Sequence, residues 1–252
     1  MSTMMLKGKV AMVTGSCGEG MGRSIALSLA REGANIVLNY GTFSTDRKPA
    51  LKVAAAIRQF GVDAAIVRAD TTKPQQVKRM IDSAVQRFGR LDILVNNAGG
   101  AWKQTPIAEV EPDFWRSVIE AELNAVFYAV RCALPIMRKQ KWGRIVNIGW
   151  WDAEPWREPP FDYSIGKAAR HLLAQKLAPS EMKNGITINN ICPGDTPHVS
   201  FDEAVRAAKD PARGMPARPS PPDIAEIAVW LCSDAARYVS GSNIWVLGRE
   251  SM

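Results

Sequence analysis

Thr14-Gly15-Ser16-Cys17-Gly18-Glu19-Gly20-Met21-Gly22 joins two segments of different periodicity. Before it, residues 9–14 are a short apolar run of the kind that forms a strand buried on both faces. After it, residues 22–32 set Ile25, Leu27, Leu29 and Ala30 in a helical pattern that stops before Gly33. Glycine permits a tight turn, lets backbone approach a phosphate closely, and packs a helix near a strand. The following helix then faces that phosphate with free N–H groups and the positive end of its dipole. A glycine-rich turn between a first strand and a first helix points to a dinucleotide site, with Gly15, Ser16, Gly20, Met21 and Gly22 as candidate contacts.

Strand and helix patterns keep alternating along the chain. Strands are expected at 35–40, 64–69, 91–95, 144–148, 186–192 and 243–247. Helices are expected at 52–60, 74–88, 112–140 with a kink at Pro135, 162–183 and 223–232. Alternation of this kind predicts a parallel sheet covered by helices on both faces. The fold class is therefore α/β, a single Rossmann-type domain over residues 1–252 with a seven-stranded parallel sheet. Ligands in such sheets bind beyond the carboxyl ends of the strands. The second strand ends Leu38-Asn39-Tyr40-Gly41. An acid there would bond a ribose 2′-OH and repel a 2′-phosphate. The nearest, Asp46, lies several residues on beside Arg47 and Lys48, so the sequence reads as NADP(H) preferred over NAD(H), with Asn39 and Tyr40 as cofactor contacts.

The 252 residues suffice for one large core. A net charge of +7 is scattered without a basic run, which suits an anionic small ligand. A nucleic-acid partner would need a basic stripe with stacking aromatics, and none is seen. Cys17, Cys132, Cys192 and Cys232 have neither metal-ligand nor redox spacing, so no metal is expected and the thiols read as reduced in a cytoplasmic protein. The N-terminus has no apolar core of signal-peptide length, and no apolar run approaches about 18 residues, so no membrane partner is expected.

Tyr163-Ser164-Ile165-Gly166-Lys167 puts a phenol and an amine four residues apart on one helical face. A nearby positive charge favours the phenolate and makes an acid usable nearer neutral pH. With the glycine turn come Asp70-Thr71 after strand three, Asn96-Asn97-Ala98-Gly99 after strand four, and Asn124 in the long helix. Asn189 then precedes Pro193-Gly194, and Pro222-Asp223-Ile224-Ala225 opens a late helix. In this order and spacing the sequence resembles the short-chain dehydrogenase/reductase family over nearly its whole length. The resemblance implies hydride transfer between a nicotinamide and a carbonyl or alcohol, with Tyr163 as acid or base. It implies that Lys167 holds the nicotinamide ribose and lowers the Tyr163 pKa, and that Asn124 anchors a water in a proton relay. Asp70 and Thr71 would lie at the adenine, Asn97, Ala98 and Gly99 along the cofactor, and Pro193, Gly194 and Thr196 at the carboxamide. A homotetramer or dimer through the long helix, the Tyr163 helix and the last strand is also implied.

The sequence departs from the family at one catalytic position. The family's serine stands thirteen residues before the tyrosine, where this chain has Trp150. Losing one donor to a developing oxyanion costs about 2.7–4 kcal/mol. Three readings stay open. The substrate needs less oxyanion help, as a C=N or conjugated C=C would, or another group supplies the contact. Alternatively Trp150, with Trp102, Trp151 and Trp156, forms an aromatic box for a flat, bulky small-molecule substrate. Or the chain is a nucleotide-binding regulatory or scaffold protein without the usual turnover. Residues 199–214 are expected to form the substrate lid, His198 reads as a loop histidine, and His171 as structural.

Overall fold

The computed structural model describes residues 4–42, 44–151, 160–212 and 214–249. Seven parallel strands form one sheet: β1 (Val10–Val13), β2 (Asn35–Tyr40), β3 (Ala64–Arg68), β4 (Ile93–Asn96), β5 (Gly143–Ile148), β6 (Ile186–Pro193) and β7 (Asn243–Val246). Their spatial order is β3-β2-β1-β4-β5-β6-β7. The α/β expectation holds because every residue of β1, β4, β5 and β6 is buried, as central parallel strands require.

The helices are α1 (Met21–Arg31), α2 (Lys48–Arg58), α3 (Pro74–Phe88), α4 (Pro112–Ile119), α5 (Ala125–Gln140), α6 (Phe161–Met182), α7 (Phe201–Lys209) and α8 (Pro221–Cys232). Ile25 and Leu29 of α1, Ile57 of α2 and Ile224 of α8 fill one apolar layer. Val77 and Met80 of α3, Val126 and Val130 of α5 and Ala174 of α6 fill the layer on the other face. The strand order reverses between β1 and β4, so the connections leaving these strands part and open a crevice at their carboxyl ends.

One expectation changes. The segment 112–140 is not one helix kinked at Pro135. It is α4 and α5 joined by a π-helical stretch, Glu120–Asn124, a wider turn that re-aims the side chains within it. Pro135 sits on the exposed side of α5, where water can reach the carbonyl it leaves free. The lid segment contains α7, whose first turn is capped by Ser200 accepting from the Glu203 N–H at 3.2 Å.

A row of buried amides ties the sheet's second half together. Asn96 Nδ2 donates to Asn147 Oδ1 at 2.8 Å, Asn147 Nδ2 to Asn190 Oδ1 at 3.0 Å, and Asn190 Nδ2 to Asn243 Oδ1 at 2.8 Å. Asn147→Ala strands a donor on β4 and an acceptor on β6. Each orphaned buried group costs about 1–3 kcal/mol, so urea denaturation should show a loss of at least about 2 kcal/mol. A loss under half of that would mean the row does not bear on stability.

Candidate active site

The crevice begins at the glycine turn. Gly15 has φ +61°, and a side chain there would press on Ala98 and Asn97. A Cβ on Gly22 would collide with the Asn97 amide and, at 2.7 Å, with the Gly15 carbonyl, so α1 can start this close to β1 only on a glycine. The turn is clamped from β4. Asn97 Nδ2 donates to the carbonyls of Thr14 at 2.9 Å and Gly15 at 3.1 Å, while Thr14 Oγ1 accepts from the Asn97 and Ala98 N–H groups, each at 3.0 Å. Gly20 caps α1 without any side-chain bond to the helix N–H groups, which leaves them open to an anion.

Ser16 and Asn39, expected as cofactor contacts, have side chains engaged within the protein, and Asn39 also lines the adjoining cavity. Asn39 is fully buried. Its Oδ1 accepts from the Gly15 N–H at 3.1 Å and its Nδ2 donates to the Tyr40 and Ala69 carbonyls at 3.2 and 3.0 Å. The Ser16 hydroxyl accepts from the Asn39 N–H at 3.1 Å. Both side chains build the turn, and their hydrogen-bonding capacity is spent there. The adjoining cavity, about 290 Å³, is lined by Gly15, Cys17, Gly18, Tyr40, Gly41 and Asp46 among others. A second cavity of about 240 Å³ includes Asp70, Thr42 and Gly100. Asp70 Oδ1 accepts from the Thr72 N–H and hydroxyl, and Thr71 is fixed to Thr42 through their hydroxyls at 3.1 Å. These hollows, with the uncapped start of α1 between them and the catalytic end, fit an elongated dinucleotide.

A cavity of about 430 Å³ lies at the other end of the crevice. It is lined by Met21, Trp102, Trp150, Trp151, Tyr163, Pro193, Gly194 and Thr196, among others. Trp150 and Trp102 flank the Tyr163 ring at centroid distances of 5.5 and 6.4 Å. The structure thus brings the predicted carboxamide residues, three of the four tryptophans and Tyr163 to one hollow. Trp156 lies outside the described residues. Ala98 and Gly99 lie where β4 leaves the sheet, against the glycine turn and the Glu122 carboxylate respectively.

Lys167 sits differently from the expectation. Its Nζ donates to the Ile148 carbonyl at 3.0 Å and pairs with Glu122 Oε2 at 3.0 Å, and lies 5.1 Å from the Tyr163 ring centroid. Arg170, fully buried, also reaches Glu122 Oε2 at 2.8 Å. Burial and the Arg170 charge hold the Lys167 ammonium down to about 8, against the pull of Glu122. The Tyr163 phenol is pushed well above its ordinary range, by burial first and by the Glu122 carboxylate second. Burial and Glu122 thus act against the expected acidification of Tyr163, while Lys167 is paired with Glu122. Glu122 stays ionised: burial pushes its carboxyl up, but Lys167 and Arg170 outweigh it.

Asn124, expected as the relay residue, is engaged by Glu120. Its Nδ2 donates to Glu120 Oε2 at 2.5 Å, and Glu120 also accepts from the Tyr128 hydroxyl. Glu122, two positions earlier, is the residue that reaches the site, because the π-helical stretch turns it toward α6. Sequence reasoning missed it. The available signal was Lys167 and Arg170 three apart on one helical face, two cations that demand a buried acid.

His171 is buried against Cys192, its Nε2 3.3 Å from the sulfur. Burial, with the Lys167 and Arg170 charges, holds its imidazole down to about 4 from an ordinary 6.5. A depressed folded value gives stability that is complete above about pH 6.5 and lost as pH falls through about 4, roughly 3 kcal/mol across the window. Denaturation midpoints followed from pH 7 to pH 4 should fall in the wild type, and His171→Gln should flatten that fall. An identical slope in both would refute the assignment.

Residues 16–248 match the family described as enoyl-(acyl carrier protein) reductase. The chain is 36% identical over 251 residues to 3beta-hydroxysteroid dehydrogenase 1 of Eggerthella lenta, covering 96% of this chain and 94% of that protein. It is 34% identical over 251 residues to the short chain dehydrogenase/reductase astE of Aspergillus oryzae, with the same coverage. A 7 alpha-hydroxysteroid dehydrogenase complexed with NADH and 7-oxo glycochenodeoxycholic acid shares the fold at TM-score 0.83 and 31% identity, over 98% of this chain and 95% of that one. With the reversed strand order, the glycine turn and the Tyr163 and Lys167 site already in place, these likenesses make the chain a member of the short-chain dehydrogenase/reductase family, the NAD(P)-dependent oxidoreductases.

Proposed function

We propose that the protein is an NADPH-dependent reductase of a bulky, cyclic or aromatic small molecule bearing a C=O, C=N or conjugated C=C group, with Tyr163 as proton donor. The observation that carries this reading is the tryptophan-walled hollow beside the phenol. Flat apolar surface is matched by indole rings, while Gln104, Asp195, Thr196 and Tyr163 give the same hollow a few polar groups. Two relatives named for hydroxysteroids agree with a fused-ring ligand.

Gly15, Gly20, Met21, Gly22, Tyr40, Asp70, Thr71, Asn97, Ala98, Gly99, Pro193, Gly194 and Thr196 would hold the cofactor, with Lys167 near its ribose. The nicotinamide, when bound, supplies the hydride. Tyr163 gives its proton to the substrate atom that becomes negative as the hydride arrives at its neighbour. The phenol is protonated at neutral pH, as a donor must be, and its upward shift makes it rely on charge developing on the substrate. Trp150 stands in the family's serine position as a wall of the hollow. It presents an indole to the substrate in place of a hydroxyl. Exposed Phe127 on α5, Leu172 on α6 and Trp245 on β7 support assembly into a homo-oligomer, a dimer or tetramer. Four free thiols, and no described helix long and apolar enough to cross a membrane, agree with a cytoplasmic location.

Two measurements test this. NADPH oxidation against a panel of cyclic ketones, enones and cyclic imines should find a substrate, and Tyr163→Phe should lower kcat by about 100-fold or more. Trp150→Ser should change the ranking of that panel more than it changes NADPH affinity. Loss of NADPH binding in this variant would make Trp150 a cofactor wall. A second reading, nucleotide binding without turnover, is favoured by the engagement of Lys167 with Glu122. NADPH binding with no panel member consumed would establish it.

Cofactor choice is tested separately. Arg47, Lys48 and Arg68 are exposed around the Tyr40 end of the crevice and favour a 2′-phosphate. Asp46 lines the same cavity and opposes it, but its Oδ1 is engaged by the Lys48 N–H at 2.9 Å. NADPH should therefore bind more tightly than NADH by calorimetry. Equal dissociation constants, or a preference for NADH, would overturn the assignment.

A further inference from the structure

We propose that Glu122 is a positioning residue for the proton-donating site, holding the Lys167 amine on the inner wall with Arg170 as its buried counter-charge. This rests on the reading of Tyr163 as proton donor. The geometry is closed on every side. The Glu122 and Arg170 side chains are both 0% exposed and Lys167 is 4% exposed. Glu122 Oε2 receives Lys167 Nζ at 3.0 Å and Arg170 Nη2 at 2.8 Å, and Oε1 accepts from the Gly100 N–H. Arg170 also donates to the backbone carbonyls of Glu122 and Ile148, each at 2.8 Å, so it shares the Ile148 oxygen with Lys167. A Cβ on Gly166 would lie 2.6 Å from the Glu122 Cβ, so α6 is pressed directly on this side chain.

Stability alone does not explain the cluster. A buried carboxylate with cations is commonly no better than apolar residues of the same volume, and is strongly destabilising once one partner is lost. Here two cations face one carboxylate and leave a net positive charge behind the phenol. The groups facing Lys167 are Glu122 from the π-helical stretch, Arg170, His171 and Tyr163 from α6, and Cys192 from β6. Those facing Tyr163 are Glu122, Arg170 and Lys167. For both groups Glu122 acts to raise the pKa and Arg170 to lower it. The two partners therefore pull in opposite directions on the same two protons.

Opposite signs separate positioning from packing. With the substrate found for the wild type, the alkaline limb of kcat/KM should move down by about one pH unit or more in Glu122→Gln. It should move up by a similar amount in Arg170→Met. An NMR titration of the Lys167 ε-carbon in cofactor-free protein, assigned with Lys167→Met, should show the same two directions. The double variant Glu122→Gln, Arg170→Met should return both readouts toward the wild type, and it keeps the test open if Glu122→Gln alone does not fold. Limbs and titrations that stay in place, or that move the same way in both single variants, would overturn the proposal. A wild type that consumes no substrate would defeat the reductase reading, and the lysine titration would then decide the role of Glu122 by itself.

Discussion

The parting of β1 and β4 is the constraint on which the molecule depends. Parallel strands whose connections leave to opposite faces cannot close the space above their carboxyl ends, so a crevice is a topological consequence of the strand order. The crevice is given its shape by one clamp, the Asn97 amide on the carbonyls of Thr14 and Gly15. That clamp fixes the loop after β4 to the loop after β1 and leaves no room for a side chain at Gly15 or Gly22. Because the backbone groups of the turn are satisfied from inside the protein, the N–H groups that start α1 are left for a ligand. The same economy appears at Asn39 and Ser16, whose side chains support the turn from β2.

Much of this was legible in the sequence, and what was not has physical reasons. Buried parallel strands are continuous apolar runs, so β1, β2 and β4 could be placed from hydrophobicity and flanking glycines. The Tyr163 and Lys167 spacing is local, and α6 delivered Tyr163 to the crevice with Lys167 buried behind it against Glu122. Side-chain direction in loops and irregular helices is a different matter. Asn39 reads as a ligand contact because it ends a strand at the right place, yet a short amide beside four backbone polar groups satisfies them first. Asn124 and Glu122 are two residues apart, and which of them faces α6 depends on one extra residue in a helical turn. No propensity marks a π-helical stretch. Helix α7 left a visible trace, Ser200 followed three residues later by Glu203, and its small alanine-rich face hid it from hydrophobic periodicity.

The electrostatics of the catalytic end follow from where charge is placed relative to water. Lys167 loses its hydration on entering the protein and regains it only in part from a carbonyl and a carboxylate, so its ammonium is weakened to about 8. Lys167 and Arg170 together hold the Glu122 carboxyl below its ordinary range although burial pushes it up. The carboxylate in turn makes the neighbouring phenol harder to ionise. Apolar walls act in the same direction, because Trp102 and Trp150 supply no hydrogen-bonded solvent to a phenolate.

A phenol that holds its proton this firmly is a weaker acid, so it would give that proton only where strong negative charge develops beside it. Proton donation is then driven by charge developing on the substrate, and the strength of that drive depends on how little else stabilises it. Trp150 lines the hollow at this end of the crevice with its ring centroid 5.5 Å from that of the phenol. In the reductase proposed above, the phenol would supply the proton there and the aromatic wall would face the substrate.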